Sequence, residues 1–290
     1  MKILCFPFIV IHIYHLNCSA INKMDGYTFE EWNFDNCFFP LLDATYILYL
    51  EGSPRLSQIK TQIFKNPPSK KVYLVRNLGY KKVTKPLIEQ STRADCSASH
   101  YMAAKHALKH NYENVLIMED DFIFFDDIYD SCTITEISDF IKNNDIRSYF
   151  LGVFPFFMFP ATIDFKHFKI LWGGGAHCII HTSSGMKQFV KDFEADQNIT
   201  IMVDIYLAGK NAYAYHKCLC SQLVPETENR KTCWGKDAVG NFATWGIETL
   251  NLHKQANGWG INFLYILGKY WWLILICLGL IIYGVIKAVN

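Results

Sequence analysis

Residues 114–121 read Asn-Val-Leu-Ile-Met-Glu-Asp-Asp, an apolar segment followed directly by three carboxylates. Four consecutive apolar side chains, from Val115 to Met118, are typical of a strand that is buried on both faces of a sheet. Ligands of open α/β sheets bind beyond the carboxyl ends of the strands. The three acidic residues therefore stand where a ligand site is expected.

The segments on either side alternate between predicted strands and predicted helices. Strands are predicted at Ala44–Leu50, Val72–Val75, Tyr149–Val153 and Ala176–Ile180, and helices at Leu56–Phe64, Ser97–Lys109, Ile134–Ile141 and Ser183–Phe193. The helix that starts at Ser97 is expected to be capped by Asp95 or by Ser97 itself. This alternation predicts an α/β fold with a mainly parallel sheet and helices on both faces.

The acidic residues after the strand are candidate metal ligands. In an extended chain Glu119 and Asp121 point to the same side, and Asp120 points to the other. Two converging carboxylates repel each other unless a cation lies between them, and oxygen ligands of this kind suit Mg²⁺ or Mn²⁺. Such an ion also binds substrate phosphates and makes a diphosphate a better leaving group. The alternative is a solvated turn that caps the next helix.

Several segments together resemble glycosyltransferase family 25, which includes the lipooligosaccharide and collagen galactosyltransferases. The family pattern is a Cys-x-x-Ser-His helix followed closely by an apolar strand that ends in Glu-Asp-Asp, and it is matched here by Cys96 to His100 and by Asn114 to Asp121. Three further segments are similar to family elements: Tyr46 to Leu50 with Arg55, Gly174 to Ile180 with Gly185, and Val203 to Leu207 followed by Tyr213 to His216. The resemblance covers roughly Ala44 to Gln222.

The resemblance implies an A-type glycosyltransferase fold in a domain over residues 43–245, a nucleotide-sugar donor and a Mn²⁺-type ion, with Mg²⁺ as the alternative. We expect a UDP-sugar-dependent hexosyltransferase that moves galactose or glucose, with inversion, to a glycan or protein acceptor. The first alternative is a catalytically degenerate member that binds a glycan or a partner from the membrane. The second is a metal-dependent phosphohydrolase, which normally needs more clustered His and Asp ligands than this sequence shows.

The expected roles of individual residues follow from these segments. Glu119 and Asp121 are predicted to hold the ion, and His216 to complete its shell, although a structural histidine is the alternative there. Asp120 is expected near the ribose or the sugar. Asp204 is predicted to be the base that takes the acceptor proton, with a helix N-cap as the alternative role. Contacts with the donor are predicted for Arg55, Gly174 and Gly175.

The composition and the C-terminal segment point to a membrane. Hydrophobic residues make up 51% of the chain and aromatic residues 16%, while the net charge is +1. No run of like charges is long enough to bind nucleic acid. Between Ile261 and Ile286 the only charged residue is Lys269, and Trp271-Trp272 at one edge is typical of the membrane interface. Residues 261–286 are therefore predicted to be a transmembrane helix in contact with lipid, with a buried core helix as the alternative.

Residues 1–20 have the features of a secretory signal, although an uncleaved anchor or a buried strand stays open. They contain Lys2, an apolar stretch from Ile3 to Ile11, and the small residues Ser19 and Ala20. With a signal the protein would be a single-pass protein whose body lies in the lumen of the endoplasmic reticulum or Golgi. Without a signal the body would face the cytosol. A luminal body would allow disulfides among its cysteines, with buried thiols as the alternative, and a glycan on the Asn198-Ile199-Thr200 sequon.

Overall fold

The computed structural model describes residues 26–209, 211–222, 238–255 and 258–289. The predicted signal segment, residues 1–20, lies outside the described residues. The strands are β1 Tyr27–Asn33, β2 Ala44–Leu50, β3 Lys71–Asn77, β4 Asn114–Glu119, β5 Phe122–Phe124, β6 Ser148–Phe150, β7 Phe154–Pro160, β8 His167–Gly174, β9 Cys178–Thr182, β10 Ala212–Tyr215 and β11 Cys220–Gln222. The helices are α1 Leu56–Lys65, α2 Thr92–Lys109, α3 Ser131–Asn143, α4 Ser183–Ala195, α5 Gln197–Thr200, α6 Val203–Ala208, α7 Ala238–Thr249 and α8 Trp259–Val289.

A mixed sheet forms the centre of the described part of the chain. Its nine strands are ordered β1-β3-β2-β4-β9-β6-β10-β8-β7, and β5 pairs separately with β11. Six strands (β2, β3, β4, β6, β7 and β10) run in one direction, whereas β1, β8 and β9 run in the other. The prediction of a mainly parallel sheet is thus met in strand direction. Most neighbouring pairs are nevertheless antiparallel, because β9 inserts between β4 and β6.

The three adjacent parallel strands β3, β2 and β4 have largely apolar central residues, 72–75, 44–49 and 115–118, that are buried on both faces. Helices α2, α4 and α6 contribute to the core on one face of the sheet. Helices α1 and α3 contribute to the core on the other face. The prediction of helices on both faces is therefore confirmed.

Helix α2 begins five residues before its predicted start. Its N-cap is Ser91, whose hydroxyl accepts a hydrogen bond from the amide of Ala94 at 3.2 Å. The predicted caps, Asp95 and Ser97, lie inside the helix, so that prediction is wrong. Asp95 is instead buried against Lys85, with 2.5 Å between its Oδ1 and the lysine Nζ. The first turn carries no large apolar side chain, so a search for helical periodicity does not detect it.

Helix α8 lies along the edge strand β7. The indole Nε1 of Trp271 donates a hydrogen bond to the carbonyl of Met158 at 2.9 Å, so the helix covers part of an otherwise open sheet edge. The side chains of α8 are exposed from Leu273 to Lys287. Among the described helices, α8 is long and apolar enough, over Trp259–Lys287, to span a membrane.

The cysteines that the structure describes are all free: Cys37, Cys96, Cys132, Cys178, Cys218, Cys220 and Cys277. Three of them, Cys178, Cys218 and Cys220, are buried. These three match the alternative of buried thiols, whereas Cys132 and Cys277 are exposed.

Candidate metal and catalytic site

Glu119 is the last residue of β4, and its side chain faces helix α2. Its amide donates a hydrogen bond to the carbonyl of His177 at 3.2 Å, which fixes the backbone where the strand ends. The carboxylate Oε1 lies 3.5 Å from Nε2 of His100 and 3.6 Å from Sγ of Cys96. These two α2 residues are four positions apart and therefore share one face of the helix.

The chain turns immediately after Glu119. Asp120 and Asp121 lie in the turn between β4 and β5, so the strict alternation predicted for an extended chain does not continue past Glu119. The carboxylate of Asp120 accepts a hydrogen bond from Nη1 of Arg55 at 2.7 Å. Arg55 is the residue directly before α1, so this ion pair ties the ends of β2 and β4 together.

The ion pair is part of a larger electrostatic balance. Burial acts to lower the pKa of Arg55, yet the negative charges of Asp120 and Asp121 outweigh burial and raise that pKa above its ordinary value. Arg55 is therefore a permanent positive charge beside the acidic turn. Its side chain is 30% exposed, so a ligand in solvent can reach it.

The carboxyl group of Asp121 has one oxygen without a hydrogen-bond partner among the described residues. That oxygen, Oδ1, is buried. Burial and the nearby charge of Glu119 raise the pKa of Asp121 to about 8, against the opposing effect of Arg55. A divalent cation would satisfy the orphaned oxygen and offset the repulsion from Glu119. The residues present thus fit an oxygen-liganded ion.

Glu119 and Asp121 have opposite pKa shifts. Burial acts to raise the pKa of Glu119, but His100, His177 and Cys96 overcome that effect and lower it. Glu119 is therefore ionised at neutral pH, whereas Asp121 without a metal holds its proton. Pairs of titratable groups whose environments separate their pKa values are typical of functional sites.

Asp204 lies in the first turn of α6, beside the connection between β8 and β9. Its Oδ2 accepts a hydrogen bond from the amide of Gly175 at 3.4 Å, and its Oδ1 accepts one from the amide of Ile205 at 2.9 Å. Burial raises the pKa of Asp204, and the charge of Glu119 adds to that effect. The N-cap of α6 is Met202, so the alternative role of Asp204 as that cap does not apply.

Gly174 and Gly175 border Asp204 closely. A Cβ at Gly174 would lie 3.3 Å from Oδ2 of Asp204. Gly175 has a φ of +90°, which favours glycine, and a Cβ there would lie 3.0 Å from the His177 ring. Both glycines therefore help to place the carboxylate of Asp204. The donor contacts predicted for them stay predictions.

His216 has different surroundings from the other candidate residues. Its amide donates to the carbonyl of Lys166, and its carbonyl accepts from Nζ of Lys269 at 2.9 Å. Burial, followed by the charges of Lys269 and Lys217, lowers the pKa of its imidazole. None of the charged groups that act on His216 is one of the three carboxylates of the acidic turn. Its predicted role as a metal ligand stays a prediction without support from its contacts.

Cys96, His100 and His177 lie in segments that carry the resemblance, but the sequence did not predict them to be metal ligands. The potential ligand atoms of Cys96, His100 and Glu119 all lie within 4.8 Å of one another. A thiolate, an imidazole and a carboxylate together suit Zn²⁺ better than Mg²⁺. The spacing of Cys96 and His100 on one helix was visible in the sequence. Their approach to Glu119, however, depends on how α2 packs against β4.

Comparisons with known proteins show distant structural likeness only. No protein-family model matches the chain, and no curated protein matches it. The chain is similar to the crystal structure of A197 from STIV, with a TM-score of 0.36 and 11% identity over 61% of this chain and 82% of that one. It is also similar to a glycosyltransferase involved in the glycosylation of the major capsid of PBCV-1, with a TM-score of 0.26 and 13% identity over 53% of this chain and 69% of that one.

Proposed function

We propose that this chain is a metal-dependent hexosyltransferase that moves galactose or glucose, with inversion, from a UDP-sugar to a glycan or protein acceptor. The observation that carries the proposal is the buried, unpartnered oxygen of Asp121 beside the ionised carboxylate of Glu119. Two carboxylates in this state favour a cation between them. Their position at the carboxyl end of a central strand is where α/β proteins bind ligands.

The donor side of the site consists of the acidic turn and Arg55. Glu119 and Asp121 would hold Mn²⁺ or Mg²⁺, which when bound would neutralise charge on the diphosphate as the bond to the sugar breaks. Arg55 offers a fixed guanidinium for the same phosphates, and Asp120, its partner at 2.7 Å, stands next to it near the expected ribose or sugar. The pair is partly exposed, so phosphate can compete for the guanidinium.

The acceptor side is built around Asp204. Inversion needs a base that removes the proton of the acceptor hydroxyl, and a carboxylate with a raised pKa takes that proton more readily than an ordinary one. The hydrogen bonds from Gly175 and Ile205 fix the orientation of the carboxylate. Asp204 also lies close enough to Glu119 for their charges to interact. The two sides therefore belong to one site.

The decisive experiment measures metal-dependent release of UDP from UDP-galactose, UDP-glucose and UDP-N-acetyl sugars. We expect Asp121→Asn to reduce release at least ~100-fold, which is the loss typical for removal of a group that stabilises developing charge. Asp126→Asn is the matched control, because Asp126 is an exposed aspartate a few residues downstream. Unchanged activity of Asp121→Asn, or release that chelation does not affect, would contradict the proposal.

The degenerate-member alternative has one observation in its favour, since Arg55 and Asp120 already satisfy each other. Calorimetry with UDP-sugars and Mn²⁺ separates the readings. Binding of the donor without turnover would support the alternative.

Comparing Mn²⁺, Mg²⁺ and Zn²⁺ in the same titration, with Cys96→Ser beside wild type, tests whether the thiol of Cys96 belongs to the metal shell.

The membrane topology forms part of the proposal. Helix α8 would anchor the protein in a single pass, with the body in the lumen of the endoplasmic reticulum or Golgi. Asn198 of the sequon is exposed on α5. A glycan that an endoglycosidase removes, and that Asn198→Gln abolishes, is expected for a luminal body. A cytosolic body would carry none.

A further inference from the structure

We propose that the outer face and tip of the β7–β8 hairpin form a lipid-binding surface that lies on the same bilayer into which α8 inserts. This hairpin surface consists of Phe156, Phe157, Phe159, Ile163, Phe165, Leu171 and Trp172, all of which are exposed. The inference rests on the proposed membrane insertion of α8 and is independent of the proposed transfer reaction.

Exposed aromatic side chains are concentrated on this hairpin. Outside α8, six exposed Phe or Trp side chains are found among the described residues, and five of them belong to the hairpin surface, the sixth being Trp245. Contiguous apolar patches on a protein surface mark interaction sites. The ring centres of Phe156 and Trp172 are 4.7 Å apart and those of Phe157 and Trp172 are 5.8 Å apart, so these three side chains form one continuous cluster.

The contacts between α8 and β7 show which way the hairpin points. Gly268 packs against Pro155, where an added Cβ would lie 2.9 Å from the proline Cβ. Further along the helix, Trp271 stacks edge-on against Phe157 with ring centres 5.0 Å apart. One residue later, the rings of Trp272 and Phe159 are 6.1 Å apart.

The helix and the strand therefore run side by side in the same direction. The tip of the hairpin extends toward the side on which the apolar half of α8 leaves the body. Ile163, 97% exposed, lies at that tip. The one carboxylate of the tip, Asp164, accepts hydrogen bonds from the Thr162 hydroxyl and from the Lys166 amide, so it can lie at the level of the headgroups.

The length of the free part of α8 requires the body to lie close to the bilayer. Residues 273–287 are exposed, and these 15 residues of helix extend ~22 Å at 1.5 Å per residue. The hydrocarbon core of a bilayer is ~30 Å thick and takes about 20 helical residues. A span that ends at Ile286 therefore begins near Leu267. This places Trp271 and Trp272, with Phe157 and Phe159 beside them, on the bilayer side and within ~8 Å of the lipid interface.

Three polar side chains at this level of α8, those of Lys269, Trp271 and Trp272, have hydrogen-bond partners within the protein. Nζ of Lys269 donates to the carbonyl of His216 at 2.9 Å, and Nε1 of Trp272 donates to the carbonyl of Lys269 at 2.8 Å. The Trp271 indole donates to Met158. Indoles with an apolar face and a satisfied N–H are typical of the membrane interface. The two indoles can thus enter the interface without exposing an unpaired N–H to lipid.

The test uses the full chain in phosphatidylcholine vesicles whose acyl chains carry bromine close to the headgroup, which quenches tryptophan fluorescence on contact. We expect the bromine-quenched part of the emission to fall in Trp172→Phe. In Trp32→Phe it should not change, because Trp32 is buried on β1 at the opposite edge of the sheet. Equal quenching of Trp172→Phe and wild type would overturn the inference.

A second pair of variants changes the surface without removing a tryptophan. Ile163→Asp should weaken the quenching of Trp172, whereas Ile88→Asp, an exposed isoleucine between β3 and α2, should leave it unchanged. An equal effect of the two variants would also overturn the inference. Resistance of the chain to alkaline carbonate reports insertion of α8 separately. If alkaline carbonate extracted the wild-type chain, both the anchor and the hairpin surface would be overturned. UDP release in detergent would still report the proposed function.

Discussion

Asp121 carries the largest electrostatic penalty of the acidic turn, and this penalty makes a prediction about stability and pH. Burial and the charge of Glu119 raise its pKa from 3.8 to about 8. The folded, metal-free protein therefore binds a proton that the unfolded chain releases in the range between these values. The stability from this group is complete below about pH 4 and is lost progressively as the pH rises toward 8.

In the presence of a chelator, we expect the melting temperature of wild type, relative to that of Asp121→Asn, to fall across this pH range. A tenfold change in proton affinity corresponds to ~1.4 kcal/mol, so the difference is measurable by calorimetry. Mn²⁺ should stabilise wild type more at pH 8 than at pH 6, because the ion must displace the proton. If the wild-type and Asp121→Asn curves had the same slope, Asp121 would not hold the proton.

A second residue-scale prediction concerns Lys85 and Asp95, which form a buried ion pair away from the acidic turn. Both side chains are almost completely buried, and the hydroxyl of Tyr27 also donates to Asp95 at 3.1 Å. Asp95→Asn would leave the Lys85 ammonium buried without a counter-charge, at an expected cost of ~3–5 kcal/mol in the free energy of unfolding. The matched control is Glu194→Gln, which removes a half-exposed partner of Lys105 and should cost at most ~1 kcal/mol.

Chemical denaturation of the two variants beside wild type measures both values. A loss for Asp95→Asn no larger than that for Glu194→Gln would show that Lys85 can release its proton or reach solvent. Burial does act to lower the pKa of Lys85. Repeating the denaturation of Asp95→Asn and wild type at higher pH shows whether Lys85 releases its proton.

At the scale of single elements, sequence reasoning found the parts whose burial is uniform. Strand β2 was predicted with its observed bounds, because Ala44 to Leu50 is apolar on both faces and ends at a Gly-Ser-Pro turn. The β7–β8 hairpin was not predicted. Its bulky apolar residues lie on the solvent side as well as on the core side. The sequence therefore shows neither the apolar–polar alternation of a half-buried strand nor the short, bounded apolar run of a central strand.

The candidate site follows the same division. Glu119 and Asp121 were recognisable because one ends a buried strand and the other follows it within two residues. The contact of Asp120 with Arg55 depends on the turn after β4. The contacts of Glu119 with His100 and Cys96 depend on the packing of α2 against β4. Contacts between residues that are distant in sequence are set by that packing. They could therefore not be predicted from this one sequence without its fold.

A close approach between elements gives a third prediction. Gly152 follows β6, and a Cβ on it would lie 1.6 Å from the carbonyl oxygen of Cys220 and 2.6 Å from Nε2 of His177. Gly152→Ala therefore forces β11 away from β6, at an expected cost of more than ~2 kcal/mol. Gly246→Ala is the control, because Gly246 lies in α7 with nothing within 4 Å, and alanine there should stabilise the helix by up to ~1 kcal/mol.

Thermal unfolding of Gly152→Ala and Gly246→Ala should shift the melting temperature in opposite directions. The former should also lose metal affinity, because His177 lies next to both the clash and Glu119. Equal melting temperatures would mean that β11 moves aside at no cost. The close approach would then be an unimportant feature of the fold.

At the scale of the whole molecule, α8 has two halves with different expected roles. The first half supplies Ile261 and Tyr265 to the core and covers the β7 edge, while the second half is exposed from Leu273 to Lys287. A chain that ends at Trp272 should therefore stay folded and lose its resistance to alkaline carbonate. A chain that ends at residue 257 should unfold at a lower temperature and aggregate, since it leaves a hole in the core and opens an edge strand.

Size-exclusion chromatography and thermal unfolding of the two shortened chains, in the same mild detergent, compare these outcomes directly. The chain that ends at Trp272 keeps the hairpin surface, so we expect it to retain weak, salt-insensitive binding to vesicles after the anchor is gone. If it instead unfolded like the shorter chain, the exposed half of α8 would be part of the fold and not an anchor. If both shortened chains stayed folded, the docking of α8 on β7 would contribute little to stability, and the hairpin would have no fixed orientation relative to the bilayer.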